Sequence, residues 1–275
     1  MSRAPGLELD AYFDRIGYEG PTEPSVDALR ALHLAHPLSI PFENLDVLLG
    51  RAPSLELPAL QTKLVDEGRG GYCFEHNTLF RAVLQALGFP VVSLAARVRW
   101  MAAPDQITPR THMALFVEAE DEAWLCDVGF GVAVMTAPLR LNTDEPQTTP
   151  HGVFRVTPRG HDLLVEMQTP LDERLPMYLL SLDPQADIDI ELANWFVATH
   201  PDSPFRKNLM VAKVTAEARL DLMNRELTTR DRLGGVERRS LEPGEVAGLL
   251  SSQFDLPFAW TPDLQPVFAD LPGPS

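Results

Sequence analysis

Three features of the sequence predict an α+β fold. Helical periodicity fills the first ninety residues, short strand patterns follow from Val91 to about residue 185, and helix and strand patterns mix after that. A chain of 275 residues is long for one compact core and points to two or three domains, placed here at residues 1–90, 91–185 and 186–275. Hydrophobic residues at 45% and charged residues at 23% are ordinary for a globular chain.

Leu9, Tyr12, Phe13 and Ile16 share one face of a short helix that ends at Gly17. Ser25 can cap a second helix carrying Val26, Leu29, Leu32 and His33, and Pro37 is expected to stop it. Ile40-Pro41-Phe42-Glu43-Asn44-Leu45 is too dense in proline and polar groups for a helix interior. A third helix is expected over residues 57–66, ending at Gly68. A fourth begins close to Cys73. Leu79, Phe80, Val83, Leu84 and Leu87 form its buried face, with Gly88 in the position of a C′ glycine and Pro90 beyond.

At Val91 the period changes. Residues 91–100 are rich in strand formers, and 104–109 read as a loop. Residues 112–117 and 124–128 flank the acidic tip Ala119-Glu120-Asp121-Glu122, which makes a hairpin. Further strands at 153–156, 162–167 and 177–182 argue for a small antiparallel sheet or barrel. Residues 186–199 read as helix, broken by His200-Pro201-Asp202-Ser203-Pro204-Phe205. Strand patterns recur at 209–214, at 218–223 and on either side of Gly234-Gly235, before a short helix at 245–252. The proline-rich tail from Thr261 is expected to be extended or loose.

A net charge of −16, from 23 basic and 39 acidic residues, argues against nucleic acid or an anionic membrane as partner. An anionic cofactor is compatible with that charge only where the chain supplies its own local cations. Met1-Ser2-Arg3-Ala4-Pro5-Gly6 leads into a polar helix without an apolar signal core, and no stretch has the length of a membrane span. A cytoplasmic, reduced protein is therefore expected, with Cys73 and Cys126 unpaired. Neither cysteine belongs to a closely spaced pair and no H-E-x-x-H occurs, which argues against zinc.

Cys73 lies in Arg69-Gly70-Gly71-Tyr72-Cys73-Phe74-Glu75-His76-Asn77, at the start of a helix. Unpaired N–H groups and the helix dipole favour an anion there, and the thiolate is the nucleophilic form of cysteine. A free cysteine is more often a small buried hydrophobe, and position alone leaves the two readings level. The hairpin decides between them, because a cysteine nucleophile needs a base and the base an orienting group. If residues 119–122 form the loop, Glu118 pairs with Ala123, and the same register puts Asp127 opposite Ala114. His112 is then its diagonal neighbour on one face. A slip of one residue would separate them. His112 alone reads as a structural histidine, but Asp127 between Cys126 and Val128 is a carboxylate in an apolar run, costly without a partner. Jointly the three residues read as a Cys73-His112-Asp127 triad.

Gly129-Phe130-Gly131 either brings backbone N–H groups up to an oxyanion or phosphate, or simply ends a strand. Arg69 and Glu43 are candidates for an ion pair bracing the cysteine loop, with a solvated position for either as the equal alternative. His33 and His36 share a helix without a carboxylate pattern, and His151 and His161 read as surface loop residues.

With Pro41-Phe42-Glu43-Asn44-Leu45, Thr111-His112-Met113, Asp127-Val128-Gly129-Phe130-Gly131 and Thr199-His200-Pro201-Asp202-Ser203-Pro204-Phe205, the segment around Cys73 resembles the arylamine N-acetyltransferases. The likeness runs to about Asn208, and the remaining residues carry no motif that aligns. It implies a helical bundle, a β-barrel and an α/β lid around a cysteine-protease-like core. It implies acetyl-CoA as donor, an arylamine, arylhydrazine or arylhydroxylamine as acceptor, and a ping-pong route through acetylated Cys73. By the same resemblance Phe42, Phe130 and Phe205 line the acceptor pocket, and Gly129, Phe130 and Gly131 lie near the pantetheine arm. Ser203 is grouped with the coenzyme contacts. Arg206 and Lys207 are the cations to test for the phosphates, a solvated surface pair being the alternative. No metal is implied, and a monomer or homodimer is expected. Two rival activities keep the triad: an amide synthase closing a polyketide-type macrolactam, and a cysteine hydrolase.

Overall fold

The computed structural model describes residues 6–170, 172–257 and 264–273. The reading of residues 1–5 as part of a leaderless N-terminus lies outside these, as do residues 261–263 of the tail. Among the described residues no helix is long and apolar enough to cross a membrane.

The N-terminal part contains α1 (Leu9–Ile16), α2 (Val26–Ser39), β1 (Phe42–Glu43), α3 (Leu45–Leu48), α4 (Leu57–Leu60) and α5 (Cys73–Ala86). Ser25 Oγ caps α2 by accepting the Ala28 N–H at 3.2 Å. The helix does not stop before Pro37 but runs through it to Ser39. A proline removes one helix bond, and here it falls in the last turn, where Ile40 N–H still reaches the His36 carbonyl at 2.8 Å. His33, His36 and Pro37 are all buried, so packing outweighs the lost bond. The helix expected over 57–66 is α4 followed by a π-helical segment, Gln61–Asp66.

Helix α5 closes as its sequence indicates. The Phe89 N–H returns to the Leu84 carbonyl and the Gly88 N–H to that of Gln85, both at 3.0 Å. Leu79, Phe80, Val83 and Leu84 are fully buried, each contributing about 2 kcal/mol by removal from water. Phe74, His76 and Asn77 are buried too, so α5 is enclosed on nearly every side.

Eight strands follow: β2 (Val91–Val98), β3 (Arg110–Ala119), β4 (Glu122–Cys126), β5 (Leu139–Arg140), β6 (Gln147–Thr149), β7 (Gly152–Arg159), β8 (Asp162–Gln168) and β9 (Arg174–Ser181). They form one antiparallel sheet in the order β5-β4-β3-β2-β9-β8-β7-β6. The sheet curls into a near-closed barrel. Its two edges are joined by the Gln147 side chain, which donates to the Arg140 carbonyl at 3.0 Å and accepts the Arg140 N–H at 2.7 Å. The edge strands β5 and β6 are too short to show a period in sequence. Along β3, Met113, Leu115 and Val117 face the helices, while Ala114 and Phe116 face the barrel core with Leu94, Phe154 and Tyr178.

The remainder contains α6 (Asp187–Thr199), α7 (Pro204–Lys207), β10 (Met210–Val214), β11 (Ala218–Met223), β12 (Glu226–Asp231), β13 (Val236–Ser240), α8 (Val246–Ser252) and α9 (Leu264–Ala269). A second antiparallel sheet has the order β1-β10-β11-β12-β13, so the segment around Phe42 supplies an edge strand to the C-terminal sheet. The tail is not extended where it is described. α9 and the residues beside it bury Leu264, Phe268 and Leu271 against Leu222, Leu250 and Phe254.

Candidate active site

Cys73 is the first residue of α5, and Tyr72 before it is extended. Glu75 Oε2 accepts the Tyr72 N–H at 3.1 Å, the reach-back of an N3 carboxylate that fixes the helix start. The thiol thus sits at the positive end of a 14-residue helix, buried, with Sγ 3.9 Å from the Thr111 carbonyl oxygen. Behind the loop, Arg69 Nη2 meets Glu43 Oε1 at 2.8 Å and Asp46 Oδ2 at 3.1 Å. Lys63 Nζ meets Glu75 Oε1 and Asp46 Oδ2, both at 2.7 Å. The Arg69–Glu43 pair is therefore part of a larger network, and removing one cation would strand a buried carboxylate.

The β3–β4 hairpin has the expected register, Glu118 opposite Ala123 and Leu115 opposite Cys126. Its tip is tighter than expected. Ala119 pairs with Glu122, leaving Glu120 and Asp121 as a two-residue turn at φ 53° and 61°. The shortening takes one residue from each side, so the register is unchanged. His112 Nε2 and Asp127 Oδ2 lie 2.7 Å apart. With Nε2 committed to the carboxylate, Nδ1 is the ring nitrogen left for the Cys73 sulfur. Burial alone would push His112 down. The Asp127 charge and hydrogen bond, with the sulfur, outweigh it and raise His112 to about 10. Asp127 moves the other way. Burial would raise it, but the His112 charge and hydrogen bonds from His112, Asn77 and the Gly129 N–H hold it below the usual carboxylate range.

Several residues that position this group were not singled out from sequence. Asn77 lies one turn along α5 from Cys73. Its Nδ2 donates to Asp127 Oδ1 at 3.0 Å and to the Met113 carbonyl at 2.8 Å, and its Oδ1 accepts the Val128 N–H at 3.1 Å. Its i+4 spacing from the cysteine was the available signal. His33 Nε2 accepts the Asp127 N–H at 3.1 Å. His36 and His76 form a directed chain. The Pro41 carbonyl can only accept, so His76 Nε2 donates to it at 3.2 Å, His76 Nδ1 accepts from His36 Nε2 at 2.8 Å, and His36 Nδ1 accepts from the Tyr12 hydroxyl at 2.8 Å. Both rings must be neutral for this chain to form. Burial lowers His33 and His76 to about 4 and His36 well below its ordinary value.

Gly129 and Gly131 are explained by protein contacts. A Cβ at Gly129 would lie 2.8 Å from the Cys73 Cα, and one at Gly131, at φ 71°, would lie 3.2 Å from the Phe42 ring. The Gly129 N–H is already given to Asp127 Oδ1 at 3.0 Å, which removes it as an oxyanion donor. Phe42 and Phe205 are neighbours at 6.3 Å between centroids, and Phe130 packs edge-on to His112 at 5.1 Å. All three phenylalanines are half-buried around the cysteine loop and the hairpin end.

Ser203 is buried just before α7, with a hydroxyl that meets no hydrogen-bond partner. Arg206 and Lys207 are exposed and locally engaged, Arg206 Nη1 with the Thr199 carbonyl at 3.0 Å and Lys207 Nζ with Asp202 Oδ1 at 3.0 Å. Cys73 and Cys126 are both free. His151 is not a loose surface residue. It is half-buried, with Nε2 donating to the Thr215 carbonyl at 2.8 Å, because the β6–β7 turn packs against the C-terminal sheet.

A family model described as N-acetyltransferase matches residues 25–261. The arylamine N-acetyltransferase of Escherichia coli K12 is 41% identical over 250 residues, covering 90% of this chain and 88% of that one. That of Mycolicibacterium smegmatis is 43% identical over 235 residues, covering 84% and 85%. The solved structure of Mycobacterium marinum arylamine N-acetyltransferase in complex with CoA superposes with a TM-score of 0.87 at 40% identity, covering 94% of each chain. By class, then, this is an acyltransferase of the N-acetyltransferase type. The chain belongs to the arylamine N-acetyltransferase family.

Proposed function

We propose that the protein transfers an acetyl group from acetyl-CoA to an arylamine, arylhydrazine or arylhydroxylamine, by a ping-pong route through acetylated Cys73. The observation that carries this reading is the 2.7 Å contact of His112 with Asp127, beside a buried sulfur at a helix N-terminus. The names of the relatives and the CoA complex of the M. marinum enzyme support it.

The imidazolium of His112, held charged by Asp127, is the partner for a Cys73 thiolate. The thiolate attacks the thioester carbon, the bond from that carbon to the coenzyme sulfur breaks, and the departing sulfur takes the proton from His112. Exchange of one thioester for another is close to isoenergetic, so the first step needs no further driving force. The acceptor nitrogen then attacks the acetyl carbon, the bond to Cys73 Sγ breaks, and His112 takes the nitrogen's proton. An aromatic amine is weakly basic, so at neutral pH it arrives uncharged and nucleophilic. Phe42, Phe130 and Phe205 would offer it flat apolar walls. We place the protein in the cytoplasm, in keeping with two unpaired cysteines.

Measuring acetylated amine against free acetate tests the reading. Amine product accumulating in step with CoA release supports it, and release of acetate alone would assign the triad to a hydrolase.

A further inference from the structure

In a chain of net charge −16, a site for an anion has to be built from cations that lack a local counter-charge. Lys207 does not meet that condition, being paired with Asp202 Oδ1 at 3.0 Å, and Arg206 is exposed, with Nη1 on the Thr199 carbonyl. The C-terminal sheet holds a better pair. Arg219 on β11 and Arg230 on β12 stand directly opposite each other in register. Like charges in that arrangement repel, and with Arg219 buried the repulsion is screened less than between two exposed side chains.

Arg219 is 6% exposed. Its Nε and Nη2 both donate to the His151 carbonyl, at 3.0 and 2.9 Å, which ties it into the seam between this sheet and the β6–β7 turn of the barrel. Its Nη1 is buried and meets no acceptor, and the same is true of Arg230 Nη1. The nearest carboxylate is Asp221, whose Oδ2 forms an ion pair with Arg230 Nη1 at 3.8 Å but no hydrogen bond, so one carboxylate faces two cations. Burial, with the Arg219 charge, lowers His151 below its ordinary value, and its ring is engaged by the Thr215 carbonyl at 2.8 Å and the Thr136 hydroxyl at 3.3 Å. Burial and the neighbouring Arg230 push the Arg219 guanidinium down to about 10, the response of a cation short of counter-charge.

The register also relates the pair to the proposed acceptor pocket. Phe42, Ala212, Asp221, Thr228 and Arg238 form one row across the sheet. Val214, Arg219, Arg230 and Val236 form the parallel row two residues along, on the same face. The opposite face carries Val211, Leu222 and Leu227, packed into the core with α8 and α9. At about 4.8 Å between strands, Arg219 lies on the order of 10–15 Å from Phe42, within the span of an extended pantetheine arm.

We propose that Arg219 and Arg230 form an anion site for a phosphate-type oxyanion in the seam between the C-terminal sheet and the barrel. Such an ion offers acceptors to the two unpartnered Nη1 groups at once and offsets the repulsion between the two cations. Its source is either a phosphate of coenzyme A or free inorganic phosphate. The first rests on the acetyl-CoA reading above, and the second does not.

Two measurements on the intact protein test this. Thermal midpoints are recorded in rising inorganic phosphate, with chloride holding ionic strength constant. KM is compared for acetyl-CoA and for acetyl-pantetheine, which carries no phosphate. The wild type should show a saturable rise in midpoint with phosphate, absent in Arg230→Gln and in Arg219→Lys, which keeps the charge but not the fork. If the coenzyme is the source, the wild type should prefer acetyl-CoA by about tenfold or more in KM, and Arg230→Gln should erase most of that preference. A phosphate-dependent midpoint with the preference intact in the variant would assign the site to free phosphate. Identical phosphate response and identical KM ratio in wild type and both variants would overturn the proposal. Failure of both donors to acetylate the protein would count against the enzymatic reading, and the thermal arm would still decide the site.

Discussion

Asn77 Nδ2 reaches Asp127 Oδ1 at 3.0 Å, from a position one helical turn beyond Cys73. The helix that presents the sulfur therefore also holds the carboxylate that orients His112. The same amide takes the Met113 carbonyl and the Val128 N–H, so the hairpin end is fixed against α5 on both sides of Asp127.

Replacing Asn77 with Ala takes from the Met113 carbonyl and the Val128 N–H their side-chain partner and from Asp127 Oδ1 one of its two hydrogen bonds. The expected cost is about 2–3 kcal/mol in unfolding free energy, checked by urea titration. Acetylation by acetyl-CoA should slow by about tenfold or more, because the His112–Asp127 geometry loosens. A variant with normal stability and a normal acetylation rate would show that the amide positions nothing.

Stability should peak near neutral pH. His33 and His76 are lowered in the fold from 6.5 to about 4, so their contribution is fully present above pH 6.5 and is lost as pH falls through 4. Each accounts for about 3 kcal/mol over that window. His112 is raised from 6.5 to about 10, so its contribution is present below pH 6.5 and is lost as pH rises through 10. Thermal midpoints between pH 4 and 10 at fixed ionic strength should fall on both sides, and His76→Gln should flatten the acid side. A profile that is level from pH 4 to 6.5 would contradict the neutral histidine chain.

Gly129→Ala should be more damaging than Gly131→Ala. At Gly129 the new methyl meets the Cys73 Cα at 2.8 Å, which is backbone and cannot move aside without shifting the nucleophile. A loss of about 1–3 kcal/mol and a larger loss of acetylation are expected. At Gly131 the methyl meets the Phe42 ring, which can turn, so the remaining cost is the positive φ, about 1 kcal/mol. Equal effects on turnover and stability at the two positions would argue against close approach as the reason for Gly129.

Most of the fold was legible because its long elements have clear periods, α5 and the β3–β4 hairpin above all. The hairpin arithmetic survived an error in loop length only because the turn shortened symmetrically. A two-residue turn of Glu120 and Asp121 was not foreseen, since left-handed geometry at both positions usually calls for Asn or Gly. Other features depend on contacts between distant segments and leave no local mark. The His36–His76 chain joins α2 to α5, β1 pairs with β10, and Arg219 meets Arg230 only once β11 and β12 are in register. The adjacent Arg206 and Lys207 stand out as a sequence pair, whereas the two arginines that face each other across the sheet are eleven residues apart.

Intact mass after incubation with acetyl-CoA, without any amine, tests the central claim most directly. One acetyl group should be added per chain and map to Cys73, and the Cys73→Ser protein should gain none. A label on Cys126, or a label that persists in the Cys73→Ser protein, would contradict the account.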